Sequence, residues 1–147
     1  MMYTHQFINS GVVDDRSLHT FVIDKEWKIA RARVRIQEYA TQKGFTAVNI
    51  AELITATSEL GYNLIFHTCA GGKLQVETVY GNHTSGLKLT STDTGPGIYC
   101  TKDALTDGFS TNGGLGGGLP GVKRLMDEFY IESSESGTRI ECTKWLR

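Results

Sequence analysis

The sequence predicts an α+β protein, a two-layer α/β sandwich with a mixed, mostly antiparallel sheet and helices on one face. Three observations predict it. Two long stretches, 25–43 and 47–68, repeat apolar residues at helical spacing. Strand-like runs then come in consecutive pairs, each joined by a short polar turn, which favours antiparallel neighbours over parallel crossovers. Finally, seven of the 17 glycines crowd between Gly108 and Gly121, just ahead of a further helical segment. Glycines needed only for scattered turns would not bunch in this way.

Residues 1–18 are polar and weakly patterned, with one strand expected over Tyr3 to Ile8, and form an unassigned N-terminal extension to a domain spanning 19–147. Phe21-Val22-Ile23 reads as a short strand, and Asp24 is placed to cap the helix after it. That helix sets Trp27, Ala30 and Val34 beside Ile29, Ile36 and Ala40 on adjoining faces, and Gly44 stands at its C-cap. The second helix carries Ile50, Leu53, Ile54, Thr57, Leu64 and Ile65, with Gly71-Gly72 ending it. Strands are expected over 74–80 and 86–92 about a Gly-Asn-His-Thr-Ser turn. A short helix near 102–106, the glycine loop and a helix over 119–128 follow. Strands over 129–133 and 138–145 close the chain about Glu135-Ser136-Gly137.

Composition narrows the partners. Fifteen basic residues against 16 acidic ones leave a net charge of -1, which disfavours nucleic acid or an anionic membrane as a bulk electrostatic partner. Cys69, Cys100 and Cys142 are odd in number and lack metal-like spacing, so they read as reduced packing thiols. With no apolar run long enough to span a bilayer and no signal peptide, a cytoplasmic location is expected.

Three constellations carry chemistry. Glu59 and Asn63 lie four apart on the second helix, on one face, with the apolar residues expected to bury the other. A carboxylate there can take a proton from a hydroxyl, and an amide oxygen suits Mg2+. Asp93-Thr94-Gly95-Pro96-Gly97-Ile98 follows a strand directly; its glycines allow a tight turn against a flat ligand, and Asp93 can accept from an exocyclic amino group. Gly113-Gly114-Leu115-Gly116-Gly117-Gly118-Leu119-Pro120-Gly121 runs into a helix, so bare amides and a helix N-terminus can together cradle phosphate. Lys123 is wrongly placed for a Walker loop, and Asp107 to Thr111 separate the loop from any strand, unlike a dinucleotide-binding fingerprint.

In this order, E-x-x-x-N, D-x-G-x-G-I and G-x-G-x-G resemble the Bergerat-fold ATPases, which include gyrase, Hsp90, histidine kinases and MutL. The stretch Leu119-Pro120-Gly121-Val122-Lys123-Arg124-Leu125-Met126-Asp127-Glu128-Phe129 is similar to the anti-sigma-factor type serine/threonine kinases, and in particular to the RsbT-type switch kinases of the stressosome. Thr55 to Leu60 and the ending Gly137 to Trp145 share that likeness.

The resemblance implies ATP and Mg2+ as ligands. It implies Asn63 as the Mg2+ ligand and Glu59 as the catalytic base. Asp93 would meet the adenine amino group, with Gly95, Gly97 and Ile98 against the base and Thr138 on the adenine side. Gly114, Leu115, Gly116, Gly117, Gly118 and Leu119 would wrap the phosphates. The implied acceptor is a Ser or Thr hydroxyl on a STAS-domain antagonist or stressosome scaffold protein, with a downstream phosphatase as the released kinase's target. Two departures stand out. Gly61-Tyr62 replaces the branch's usual Ala-Arg, and Lys102 is the only basic residue between Ile98 and Lys123. They keep open an alternative: a non-catalytic ATP/ADP-binding switch whose nucleotide gates a protein–protein interaction. Arg31, Arg33 and Arg35 alternate along the first helix and read as a surface spread over several faces.

Overall fold

The computed structural model describes residues 18–68, 71–93 and 118–147. Among these, a five-stranded sheet carries helices on one face. The elements run β1 (His19–Ile23), α1 (Glu26–Lys43), α2 (Ala47–Phe66), β2 (Gly72–Tyr80), β3 (Ser85–Thr92), α3 (Gly118–Leu125), β4 (Glu128–Ser134) and β5 (Gly137–Trp145). The strand order is β1-β2-β3-β5-β4 and every pair is antiparallel. The expected α+β sandwich is what the chain forms, with the sheet antiparallel throughout the described residues. The strand expected near the N-terminus and the short helix near 102–106 lie outside them.

α1 starts without the expected cap. Lys25 is the N-cap residue and offers no side-chain bond, while Asp24 instead pairs with Lys28 at 2.6 Å. α2 has the cap that α1 lacks: Thr46 Oγ1 accepts from the Asn49 amide at 3.2 Å. Gly44 ends α1 at φ 92, a left-handed position that glycine occupies without strain. α2 stops at Phe66 with His67 as its cap, so Gly71-Gly72 do not end the helix. They start β2 instead, where a Cβ on Gly72 would lie 2.3 Å from the Thr92 carbonyl oxygen.

The core is two matched stripes laid on the sheet. Ile29, Ala32, Ile36 and Ala40 of α1 are buried, as are Leu53, Ala56, Leu60 and Leu64 of α2. Both sets follow i, i+3, i+7, i+11, one face of a helix. They meet Leu74, Val76, Leu87, Leu89, Ile140 and Cys142, the inward positions of β2, β3 and β5. Trp27 and Val34 do not join them; they are 60% and 58% exposed, so only one of the two faces expected on α1 is core. The helices approach closely at Gly61, where a Cβ would stand 2.9 Å from Ile29 Cγ1.

Candidate functional site

α2 is the spine of the site. Its middle turns, Ala56 to Gly61, are buried all round, because α1 covers one flank and α3 the other. Glu59 is therefore only 4% exposed, and does not sit on a solvated face as its spacing suggested. Its Oε1 accepts from the Gly118 amide at 3.4 Å. Gly118 has φ 68 and opens α3, so a carboxylate caps the positive end of a helix across 59 residues of sequence. Such a buried charge needs a partner, and the helix terminus supplies one.

Asn63 lies one turn further along α2 and is half-buried. Its backbone carbonyl accepts from the His67 amide at 3.1 Å. Burial holds the His67 imidazole below its ordinary pKa of 6.5, so it favours the neutral form beside this turn. Tyr62, of the Gly61-Tyr62 departure, stacks on Phe66 with ring centroids 5.8 Å apart and packs against the core. Gly61, before it in the sequence, is a packing site for α1.

The sheet contributes the other side. Asp93 follows β3 directly, is 8% exposed, and donates its amide to the Thr138 carbonyl of β5 at 3.0 Å. Thr138 is buried and its hydroxyl is 2.9 Å from Ser133 Oγ. Asp93 and Thr138 line one open cavity of about 400 Å³ together with Thr92, Glu132, Gly137 and Arg139. Two residues expected on the adenine side, 45 positions apart, are thus brought together by the β3–β5 pairing. Gly118 and Leu119 lie at the start of α3, beside Glu59. The remaining expected residues, Gly95, Gly97, Ile98, Gly114, Leu115, Gly116 and Gly117, lie outside the described residues.

The donor set suits ATP with Mg2+. A buried carboxylate at a strand end matches an exocyclic amino group, and the N-terminus of α3 already holds an anionic oxygen. One amide oxygen can supplement phosphate oxygens around a hard cation. Among the described residues no group of three or more His, Cys, Asp or Glu is arranged to hold a metal. No described helix is long and apolar enough to cross a membrane.

Fold and site together define an ATP-binding domain of the histidine kinase type. The family described as "Histidine kinase-like ATPase domain" matches residues 21–144, and the chain belongs to it. Within the family it stands with the serine/threonine kinases of the RsbT type. It is 46% identical over 123 residues to the serine/threonine-protein kinase RsbT of Bacillus subtilis (strain 168), covering 83% of this chain and 92% of that one. Two solved structures share the fold. The RsbU and RsbW domains of Rv1364c from Mycobacterium tuberculosis align with TM-score 0.59 and 18% identity, over 88% of this chain and 33% of that one. This chain thus spans about a third of that one. The histidine kinase domain from the Erythrobacter litoralis EL346 blue-light activated histidine kinase aligns with TM-score 0.50 and 17% identity, over 97% and 73%.

Proposed function

We propose that the chain is an ATP-dependent protein serine/threonine kinase that works as a partner switch, phosphorylating a STAS-domain antagonist or stressosome scaffold protein in stress or sigma-factor signalling. The observation that carries this is the buried Glu59 carboxylate, held at the N-terminus of α3 and one helical turn from Asn63. The 46% identity to a serine/threonine-protein kinase supports it. On this reading residues 19–147 are the catalytic domain and 1–18 an extension.

In the proposed reaction the acceptor's Ser or Thr oxygen bonds to the γ-phosphorus while the bond from that phosphorus to ADP breaks, and Glu59 takes the hydroxyl proton. Asn63 would hold Mg2+, which supplies charge neutralisation at the phosphates. Asp93 would accept from the adenine amino group, with Thr138 beside it. Gly118 and Leu119 present the α3 amide terminus to the phosphates. A phosphorylated antagonist would then release the kinase to a downstream effector such as a phosphatase.

A second reading rests on the same contact. If ATP phosphates displace Glu59 from the Gly118 amide, nucleotide alone would shift α3, and the chain would be a nucleotide-gated switch without transfer. Incubation with a cognate STAS-domain protein and γ-labelled ATP separates the two. Label on the partner supports the kinase; tight ATP binding with an unlabelled partner supports the switch.

A further inference from the structure

The first helix carries a second feature, away from the nucleotide. Lys28, Arg31 and Arg35 follow i, i+3, i+7 and point to the same side of α1. With His19 to Val22 of β1 and Tyr39 they line a cleft of about 400 Å³. A second cavity of about 270 Å³ continues it past the His19–Tyr39 stack to Lys43. None of the described residues lining either cavity is acidic; beside them Asp24 pairs with Lys28, and Glu38 is close enough to Arg35 to act on its charge. The chain as a whole is at -1, so four cations along one cleft are a local concentration. Arg33 is not part of it. It turns the other way and donates to Ser58 of α2 at 3.2 Å.

The floor of this cleft is a sheet edge. β1 is a terminal strand and pairs only with β2 among the described residues, which leaves one row of its backbone groups unpaired there. It lacks the proline or lysine that blunts an open edge, and Val22 is exposed at it. An edge strand with an apolar side chain, rimmed by cations, matches an extended segment with alternating apolar and acidic side chains. A second copy of this chain is a poor occupant, since two-fold pairing through β1 would set the two cationic rows against each other.

We propose that the β1–α1 cleft docks an extended, carboxylate-rich segment of a partner protein by strand addition, at a surface separate from the Glu59–Asn63 site. The test titrates a short peptide of alternating valine and glutamate into the isotope-labelled full chain at low salt, followed by amide NMR shifts, beside the valine–lysine counterpart. Saturable shifts centred on β1 and α1 with the glutamate peptide alone are expected. Arg31→Glu with Arg35→Glu should weaken that binding by about tenfold or more, Arg31→Lys with Arg35→Lys should keep most of it, and high salt should reduce it. No saturable binding, an equal response to the lysine peptide, or shifts centred on α3 would overturn the proposal. So would dilution-dependent β1 shifts without peptide, which would assign the cleft to a second copy. No nucleotide is present, so the outcome is independent of whether the chain transfers phosphate.

Discussion

Glu59 Oε1 and the Gly118 amide lie 3.4 Å apart, joining the middle of α2 to the first residue of α3. If Glu59 serves as the base, its carboxylate is positioned by the same helix terminus proposed to meet the phosphates. Glu59→Gln should then retain Mg·ATP binding while phosphoryl transfer falls by roughly 10²–10⁴-fold. Asn63→Ala should fail earlier, with weaker Mg·ATP binding. Calorimetry beside a transfer assay reads the two steps, and transfer by Glu59→Gln at the wild-type rate would remove Glu59 from the chemistry.

Asp93 is buried at the end of β3 and tied to Thr138 through its backbone, and on the proposed reading its carboxylate meets the adenine amino group. Asp93→Asn should weaken ATP binding by roughly 10–100-fold, since one charged acceptor is lost and a donor takes its place. The circular dichroism spectrum should not change. Wild type should prefer ATP to GTP, and equal affinities would put adenine recognition elsewhere.

Gly61→Ala sets two effects against each other. Alanine gains up to about 1 kcal/mol in helix propensity. Its Cβ would stand 2.9 Å from Ile29 Cγ1 and 3.1 Å from Cγ2, and forcing the helices apart costs about 1–3 kcal/mol. Net destabilisation is expected, read as a lower denaturant midpoint. A stabilised Gly61→Ala would mean that α1 and α2 do not pack so closely.

His67 gives the stability a slope with pH. Burial lowers its folded-state pKa below the ordinary 6.5, so the unfolded chain binds the proton more readily. The stabilisation from its neutral form is complete above 6.5 and is lost as the pH falls from there towards the folded value. His67→Gln should lose less stability than wild type between about pH 8 and pH 5.5. Parallel melting curves for the two proteins would show that His67 is not the group responsible.

Much of this was legible in the sequence because periodicity and glycine placement are local. The two hairpins, the Gly44 cap and part of each stripe (Ile29, Ile36 and Ala40 of α1, Leu53 and Leu64 of α2) follow from spacing within a few residues. What sequence reading missed depends on contacts between distant segments. Asp24 has the chemistry of a cap, yet Lys28 one turn on holds it as an ion pair. Glu59 and Asn63 were expected together on one face, and are; that Glu59 is buried follows from α3 arriving over it. Gly61 stood out only as a departure from the branch's Ala-Arg; that Ile29 of α1 packs against it depends on a segment distant in the sequence. Lys88, almost wholly buried between Glu77 at 3.1 Å and Glu141 at 3.5 Å, gave no local sign, since both partners sit on neighbouring strands.

Cys142, at an inward position of β5 where β3 and β4 flank it, turns the sheet into a chemical clock. Burial pushes its thiol up to about 12, so in the folded chain the reactive thiolate is scarce and no reagent can reach it. Alkylation at this residue must wait for the central strands to part. Its rate, followed by peptide mass spectrometry, therefore measures how often the sheet opens, with no probe added to the protein. Any ligand that binds the closed form should slow that clock in proportion to its occupancy.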